Sequence, residues 1–222
     1  RVSEFVVSFA GEESTAEIWS VPGSDASVKN LVVHHERLMR DGEGVIYFGD
    51  EANRPFARDA SKFAFFCAAV ASWLVSRDDL PDAVHLHDWH AGFYTILREF
   101  DERYAALRPV RTVFTIHNLS YQGTRPLDDD ESSLSAWYPG LQYNEAIVDP
   151  KHDDCVNPMA AAIRLADRIS TVSPTYAEEI CRPSDPATAF VGGEGLEEDL
   201  QLASDRLSGI LNGCFYDKPG PG

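Results

Sequence analysis

Basic side chains are scarce in this 222-residue chain: 19 Lys and Arg stand against 36 Asp and Glu, a net charge of −17. Only four of the basic residues are Lys. A surface this negative repels nucleic acid and anionic lipid, so neither is expected as a partner. The acidity is spread along the chain and not gathered in a tail. That fits an acidic cytoplasmic protein, or one from a salt-rich habitat, and argues against an arm for a basic partner. Long apolar runs are also missing: nothing approaches the ~20 residues of a membrane span. Residues 1–9 carry Arg1 and Glu4 among apolar neighbours and lack a cleavage pattern, so no signal peptide is read. There is no initiator Met, and the chain is expected to begin inside a longer protein. Oligomeric state is not legible.

Cysteine pairs are absent as well. Cys67, Cys155, Cys181 and Cys214 lie far apart, with no Cys-x-x-Cys. Neither a metal template nor a disulfide framework is expected, and Cys67 reads as a small core residue. No P-loop, nucleophile elbow or His-Glu-x-x-His occurs, and no Gly-x-Gly-x-x-Gly follows a strand. The run Gly192, Gly193, Glu194, Gly195 is too short and is followed by acidic residues that oppose phosphate. No metal and no cofactor is expected.

What is present is an alternation of strands and helices. After a hairpin-like N-terminal stretch, Leu31–His34 reads as a strand. Asp59 is a candidate N-cap for a helix running to about Ser76, with Phe63, Phe66, Val70 and Leu74 on one stripe. A strand is predicted at 83–87, a helix at 92–104 and, after Pro109, a strand at 111–117. Residues 118–157 look irregular, and so long a connection is more often functional than accidental. A helix at 158–166, a strand at 168–172, a helix at 174–181 capped by Ser173, a loop at 182–195 and a strand at 207–211 complete the order. Such alternation predicts an α/β fold with a doubly wound parallel sheet.

Two segments concentrate polar chemistry at predicted strand ends: His85 to Gly92, which includes His87, Asp88, Trp89 and His90, and Thr115 to Gly123, which includes His117, Asn118, Tyr121 and Gln122. In parallel sheets, functional groups gather past the carboxyl ends of strands. The imidazole of His117 and the carboxamide of Asn118 suit sugar hydroxyls, although His117 is equally readable as a strand-capping histidine. The Asp88 carboxylate accepts hydrogen bonds, and the Trp89 indole offers a face for a pyranose. The competing roles are an N-cap for Asp88 and core filling for Trp89. His85 and His87 share one strand face, which permits a two-His metal pair, but no third ligand is placed. Asn212 follows the last predicted strand and is either a site residue or a turn former before Gly213.

These segments resemble bacterial glycogen synthases and plant starch synthases. Further elements of that family occur in its order: Arg58 to Phe66 resembles its Asp-Asn-x-x-Arg-Phe helix start, Ala166 to Ile180 its Thr-Val-Ser-Pro-Thr-Tyr segment, and Gly193 to Leu196 and Leu207 to Gly213 its Glu-Gly-Leu and Gly-Ile-Leu-Asn-Gly elements. The resemblance spans roughly residues 31–213; residues 1–30 carry no element of it. It implies a Rossmann-like half of a two-domain GT-B glycosyltransferase: a partial N-terminal, acceptor-side domain over 1–213, the start of a linker at 214–222, and no C-terminal nucleotide-binding domain. The implied reaction is retaining transfer of glucose from ADP-glucose to the non-reducing end of an α-1,4-glucan. His117 would be catalytic, lying beside the donor sugar with Asn212, while Tyr47, Asp88, Trp89, Asn118, Tyr121 and Gln122 line the cleft. Val45 to Phe48 reads as a strand on propensity, but the resemblance aligns 44–50 with a loop that carries Tyr47 to the acceptor. Basic side chains of the second domain neutralise the diphosphate there, with no metal required. The chain departs from the family at Ala60 (usually Asn), at Lys62 (usually Arg) and at Cys214-Phe215 after the Asn-Gly. A non-catalytic glucan-binding module, or another retaining GT-B enzyme, is the alternative.

Overall fold

A computed structural model describes residues 1–23, 25, 27–39, 45–47, 54 and 56–213. The expected linker at 214–222, Gly44 and residues 48–50 lie outside the described residues.

The chain opens with an antiparallel sheet of β1 (Ser3–Phe9), β2 (Glu12–Val21) and β3 (Asn30–His34), in that order. Ala10 and Gly11 both have positive φ, the two-residue turn whose twist suits a hairpin. Phe5, Val7, Phe9, Ala16 and Ile18 alternate inward and are buried. The strand expected at Leu31–His34 forms, but in this sheet, because Val33 lies opposite Ile18. After a short α1 (Glu36–Met39) comes α2 (Ala57–Val75), which packs against β1 through an edge-on Phe9–Phe65 contact at 5.4 Å. Here expectation and structure differ. Asp59 is not the N-cap; it is buried in the first turn, and the helix begins at Ala57 after Phe56 takes a left-handed conformation. Phe56 is anchored edge-on against Trp89 at 5.4 Å, a tertiary contact that outweighs the local cap.

The second sheet is wholly parallel: β4 (Ala83–His87), β5 (Arg111–Ile116), β8 (Arg168–Thr171) and β9 (Leu207–Gly209), neighbours in sequence order. The last is two residues shorter than expected. Between β4 and β5 runs α3 (Asp88–Phe100), four residues earlier than predicted and ending at Asp101. Residues Glu102–Leu107 form a separate 3-10 turn, with the Asp101 carboxylate accepting from the Arg103 N–H. The early start comes from Asp88 itself, whose φ of 55° turns strand into helix with no loop. Within 118–157 lie β6 (Arg125–Pro126), α4 (Leu134–Trp137) and β7 (Cys155–Val156), with β6 and β7 paired antiparallel. Then follow α5 (Pro158–Leu165), capped by Asn157, and α6 (Pro174–Glu179), capped by Ser173. Helix α7 (Glu197–Leu202) was not expected.

Helices α3 and α5 pack together on one face of the sheet. Gly92 permits this: a Cβ there would lie 2.2 Å from the Pro158 carbonyl oxygen. Phe93, Ile96, Leu97, Phe114, Ile116, Met159 and Ile163 fill the layer with no exposed surface. Cys67 is buried and free, and burial pushes its thiol up to about 12. No helix among the described residues is long and apolar enough to cross a membrane.

Candidate functional site

The carboxyl ends of β4 and β5 are adjacent, His87 opposite Thr115, and a carboxylate ties the loops that follow them. Asp88 Oδ1 accepts the backbone N–H of His117 at 2.7 Å and that of Asn118 at 3.3 Å. Asp88 therefore caps no helix: the N-cap of α3 is His87, without a side-chain bond. Its left-handed backbone aims the carboxylate across to the neighbouring strand's loop instead. The next two amides are satisfied as well: Leu119 N–H donates to the Tyr176 hydroxyl at 3.3 Å and Ser120 N–H to Asn118 Oδ1 at 3.0 Å. Four successive backbone donors thus meet side-chain acceptors, holding His117 and Asn118 at the surface in one conformation.

An aromatic layer lies beneath. Trp89 is 2% exposed, stacked on His90 at 4.2 Å and met edge-on by Phe56 and Phe63. Gly123, with φ of 71°, rests on the indole; a Cβ there would approach Trp89 Cε3 to 2.1 Å. The expectation that Trp89 stacks on sugar is corrected: both faces are occupied, and the indole is the floor of the site. The rings left open are Tyr47, 59% exposed at 5.5 Å from the His90 ring, and Tyr121, 56% exposed at 6.4 Å from Phe56. Residues 45–47 carry no regular structure, and Lys62, through Nζ, donates to the carbonyls of Val45 at 2.6 Å and Ile46 at 3.3 Å. Burial lowers the pKa of His90, keeping it neutral in its cage.

Gln122 is a brace. Its Oε1 accepts from Asn157 Nδ2 at 2.7 Å, and its Nε2 donates to the Glu194 carbonyl at 3.4 Å. Asn157, fully buried, also donates to Asp149 Oδ2 at 2.8 Å while its Oδ1 caps α5. Sequence reasoning missed Asn157, Asp149 and Lys151, whose ammonium donates to the Glu194 carbonyl at 2.9 Å. Glu194 and Tyr176 act as scaffold for the same turn: the Ser120 hydroxyl donates to the Glu194 carboxylate and the Tyr176 hydroxyl accepts the Leu119 N–H. The available signal was local: Glu194 and Gly195 both take positive φ, as a Glu-Gly pair in a tight turn can.

Asn212 lies three residues beyond β9, exposed, two strands from β5. It shares the carboxyl edge of the sheet, but no hydrogen bond joins it to His117 or Asp88 among the described residues. His85 and His87 do share a face, their rings 4.3 Å apart, and His87 Nδ1 lies 2.9 Å from His117 Nε2. Among the described residues no group of three His, Cys, Asp or Glu side chains converges for a metal.

The arrangement is a polar, neutral-to-acidic shelf with two exposed tyrosines, suited to hydroxyl-rich ligands. The family model described as starch synthase catalytic domain matches residues 2–202, so the likeness reaches into the first thirty residues, where no motif had been read. The chain is 34% identical to a glycogen synthase of Oceanobacillus iheyensis, covering 96% of this chain and 39% of that protein. It is 39% identical to one from Lactiplantibacillus plantarum, over 86% and 38% respectively. It thus spans about two fifths of the curated relatives it matches. Among solved structures, the catalytic domain of starch synthase IV from Arabidopsis thaliana, bound to ADP and acarbose, superimposes with a TM-score of 0.73 at 29% identity, covering 95% of this chain and 40% of that one.

Proposed function

Because the chain belongs to the family of starch synthase catalytic domains, we propose that it forms the N-terminal, acceptor-side domain of a cytoplasmic GT-B glucosyltransferase over residues 1–213, with 214–222 leading toward a nucleotide-binding domain. The reaction is transfer of glucose from ADP-glucose to the non-reducing end of an α-1,4-glucan, with retention at the anomeric carbon. The observation that carries this reading is the turn at His117 and Asn118, immobilised by Asp88 at the ends of two adjacent parallel strands. A preorganised imidazole needs no reorganisation as charge develops on the donor sugar. In this reading His117 and Asn212 hold the donor glucose, Asn118 and the free oxygen of Asp88 meet sugar hydroxyls, and Tyr47 and Tyr121 flank the glucan path. Gln122 and Trp89 shape the shelf from behind.

The ADP moiety bound to the Arabidopsis relative supports ADP-glucose as donor. A diphosphate needs cations, and this chain carries 36 acidic against 19 basic residues. The 222-residue chain alone is therefore expected to bind ADP-glucose weakly and to elongate no glucan. The test joins it to its native flanks and measures radiolabelled glucose transfer from ADP- and UDP-glucose. His117→Ala should lower transfer about a hundredfold or more, and ADP-glucose should be the better donor. Transfer by His117→Ala at the wild-type rate would end the role given to His117, and no transfer from either donor by the wild-type protein would end the reading as a whole.

A further inference from the structure

Opposite the layer of α3 and α5, the parallel sheet carries a polar ladder. Alternation turns Leu86, Phe114, Ile116 and Ile169 toward the helices, where they are buried. It turns His85, His87, Thr115 and Ser170 the other way. His85 is in register with Val113, so Thr115 is its diagonal neighbour, and His85 Nε2 meets Thr115 Oγ1 at 2.6 Å. Thr115 Oγ1 in turn lies 2.6 Å from Ser170 Oγ, its partner in β8. The His85 ring is thereby fixed at its far edge. It lies against the His87 ring with centroids 4.3 Å apart and planes at 36°. The His87 ring reaches the candidate catalytic imidazole, Nδ1 to His117 Nε2 at 2.9 Å.

We propose that His87 is a positioning residue for His117: it fixes the plane of that ring and couples its tautomer to that of His87, and His85, braced by Thr115 and Ser170, holds His87 in place. The reasoning is a count of hydrogens. Between two imidazole nitrogens in hydrogen-bond contact there is room for one hydrogen, so one nitrogen donates and the other accepts. Two neutral rings meet that condition, and so does a pair with one extra proton carried on an outer nitrogen. A doubly protonated pair does not, because both facing nitrogens would then bear hydrogens. Burial, and next the charges that His85 and His117 would bring, lower the pKa of His87, while Asp88 opposes them; the neutral form of His87 is favoured. With Nε2 of His117 engaged, its Nδ1 takes the complementary role: a donor where His87 donates, an acceptor where His117 donates, so the tautomers of the two rings are coupled. Asp88 fixes the backbone of His117, and His87 fixes its ring; neither alone determines the direction of the imidazole.

The inference deepens the transferase reading and rests on it for its purpose, but the contact is testable without turnover. The 222-residue chain, labelled with nitrogen-15 in the histidine rings, should show coupling across the hydrogen bond between His87 Nδ1 and His117 Nε2 near neutral pH. His87→Phe should abolish it and move both His117 ring nitrogens to the averaged shifts of a free neutral imidazole. His87→Asn, whose amide nitrogen occupies the place of Nδ1, should restore unequal shifts. Thr115→Val, nearly isosteric, should loosen His87 without removing it, giving partial averaging. Absence of coupling with averaged His117 signals in the wild type, or unchanged His117 signals in His87→Phe, would overturn the proposal. In the protein with its native flanks, His87→Phe should lower kcat about tenfold or more, with KM for glucan little changed and His87→Asn recovering most of the loss. Coupling present while His117→Ala transfers glucose at the wild-type rate would remove the catalytic role of His117 and leave the contact standing. Coupling absent while His117→Ala is inactive would do the reverse.

Discussion

The loops after β5 and after β9 sit on the same edge of one sheet, and they are built in opposite ways. Residues 117–120 offer four backbone donors, and each finds a side-chain acceptor from Asp88, Asn118 or Tyr176. Trp89 and Gly123 close the space beneath. After β9 one backbone bond among the described residues, Ile210 N–H to the Thr171 carbonyl, extends the pairing, and Ile210 and Leu211 face solvent. The first loop is held from several sides and does not depend on a ligand to take shape. Among the described residues the second is held by backbone pairing, and no side-chain bond to Asn212 is found there. A site assembled from both would have one preorganised wall and one that is set by what it meets.

Substitutions should separate the two loops by size of effect. Trp89→Ala removes the buried floor of the first and should cost about 3–5 kcal/mol in urea unfolding; a loss below 1 kcal/mol would show that the indole is not load-sharing with Phe56, Phe63 and Gly123. Asp88→Ala leaves two amides without an acceptor. It should cost about 2 kcal/mol and speed hydrogen exchange at His117 and Asn118, whereas unchanged exchange there would break the asymmetry. Smaller still is the effect of pH through His90. Burial holds its folded pKa below the ordinary value, so the unfolded chain binds the proton first and stability falls as pH drops through about 6.5 and below. His90→Phe should flatten that part of the stability profile relative to wild type, and an identical slope would contradict a neutral caged imidazole. Last, Asn212→Ala should change unfolding by no more than about 0.5 kcal/mol, since its side chain is exposed; a larger loss would mean the second loop is held after all.

Much of the frame was legible from residues. Alternating apolar residues located β4, β5 and β8, and Ser173 with Pro174 marked the start of α6, because these signals act within a few neighbours. The site was half legible. His117, Asn118 and Asp88 were found at strand ends, but Asp88 reads as a cap for its own helix until its partner, 29 residues away, is seen. Trp89 reads equally as sugar platform or core filler, because indole chemistry is the same whether the ring is covered or bare; Phe56, Phe63, His90 and Gly123 cover it. The start of α2 was misplaced because a cap signal at Asp59 competes with an aromatic contact from Phe56 that no local pattern reveals. For the same reason Leu31–His34 looked like any strand, although its partner is the hairpin.

By itself the order of residues determined most of the strands and longer helices, the sign of the surface charge and the chemical groups at the strand ends, since periodicity, capping and ionisation are properties of short stretches. The fold alone decided which of those groups remain free. Hydrogen bonds and ring contacts between distant segments consume Trp89, Gln122 and one oxygen of Asp88 as structure, hold one ring nitrogen of the exposed His117 against His87, and leave Tyr47 and Tyr121 turned outward.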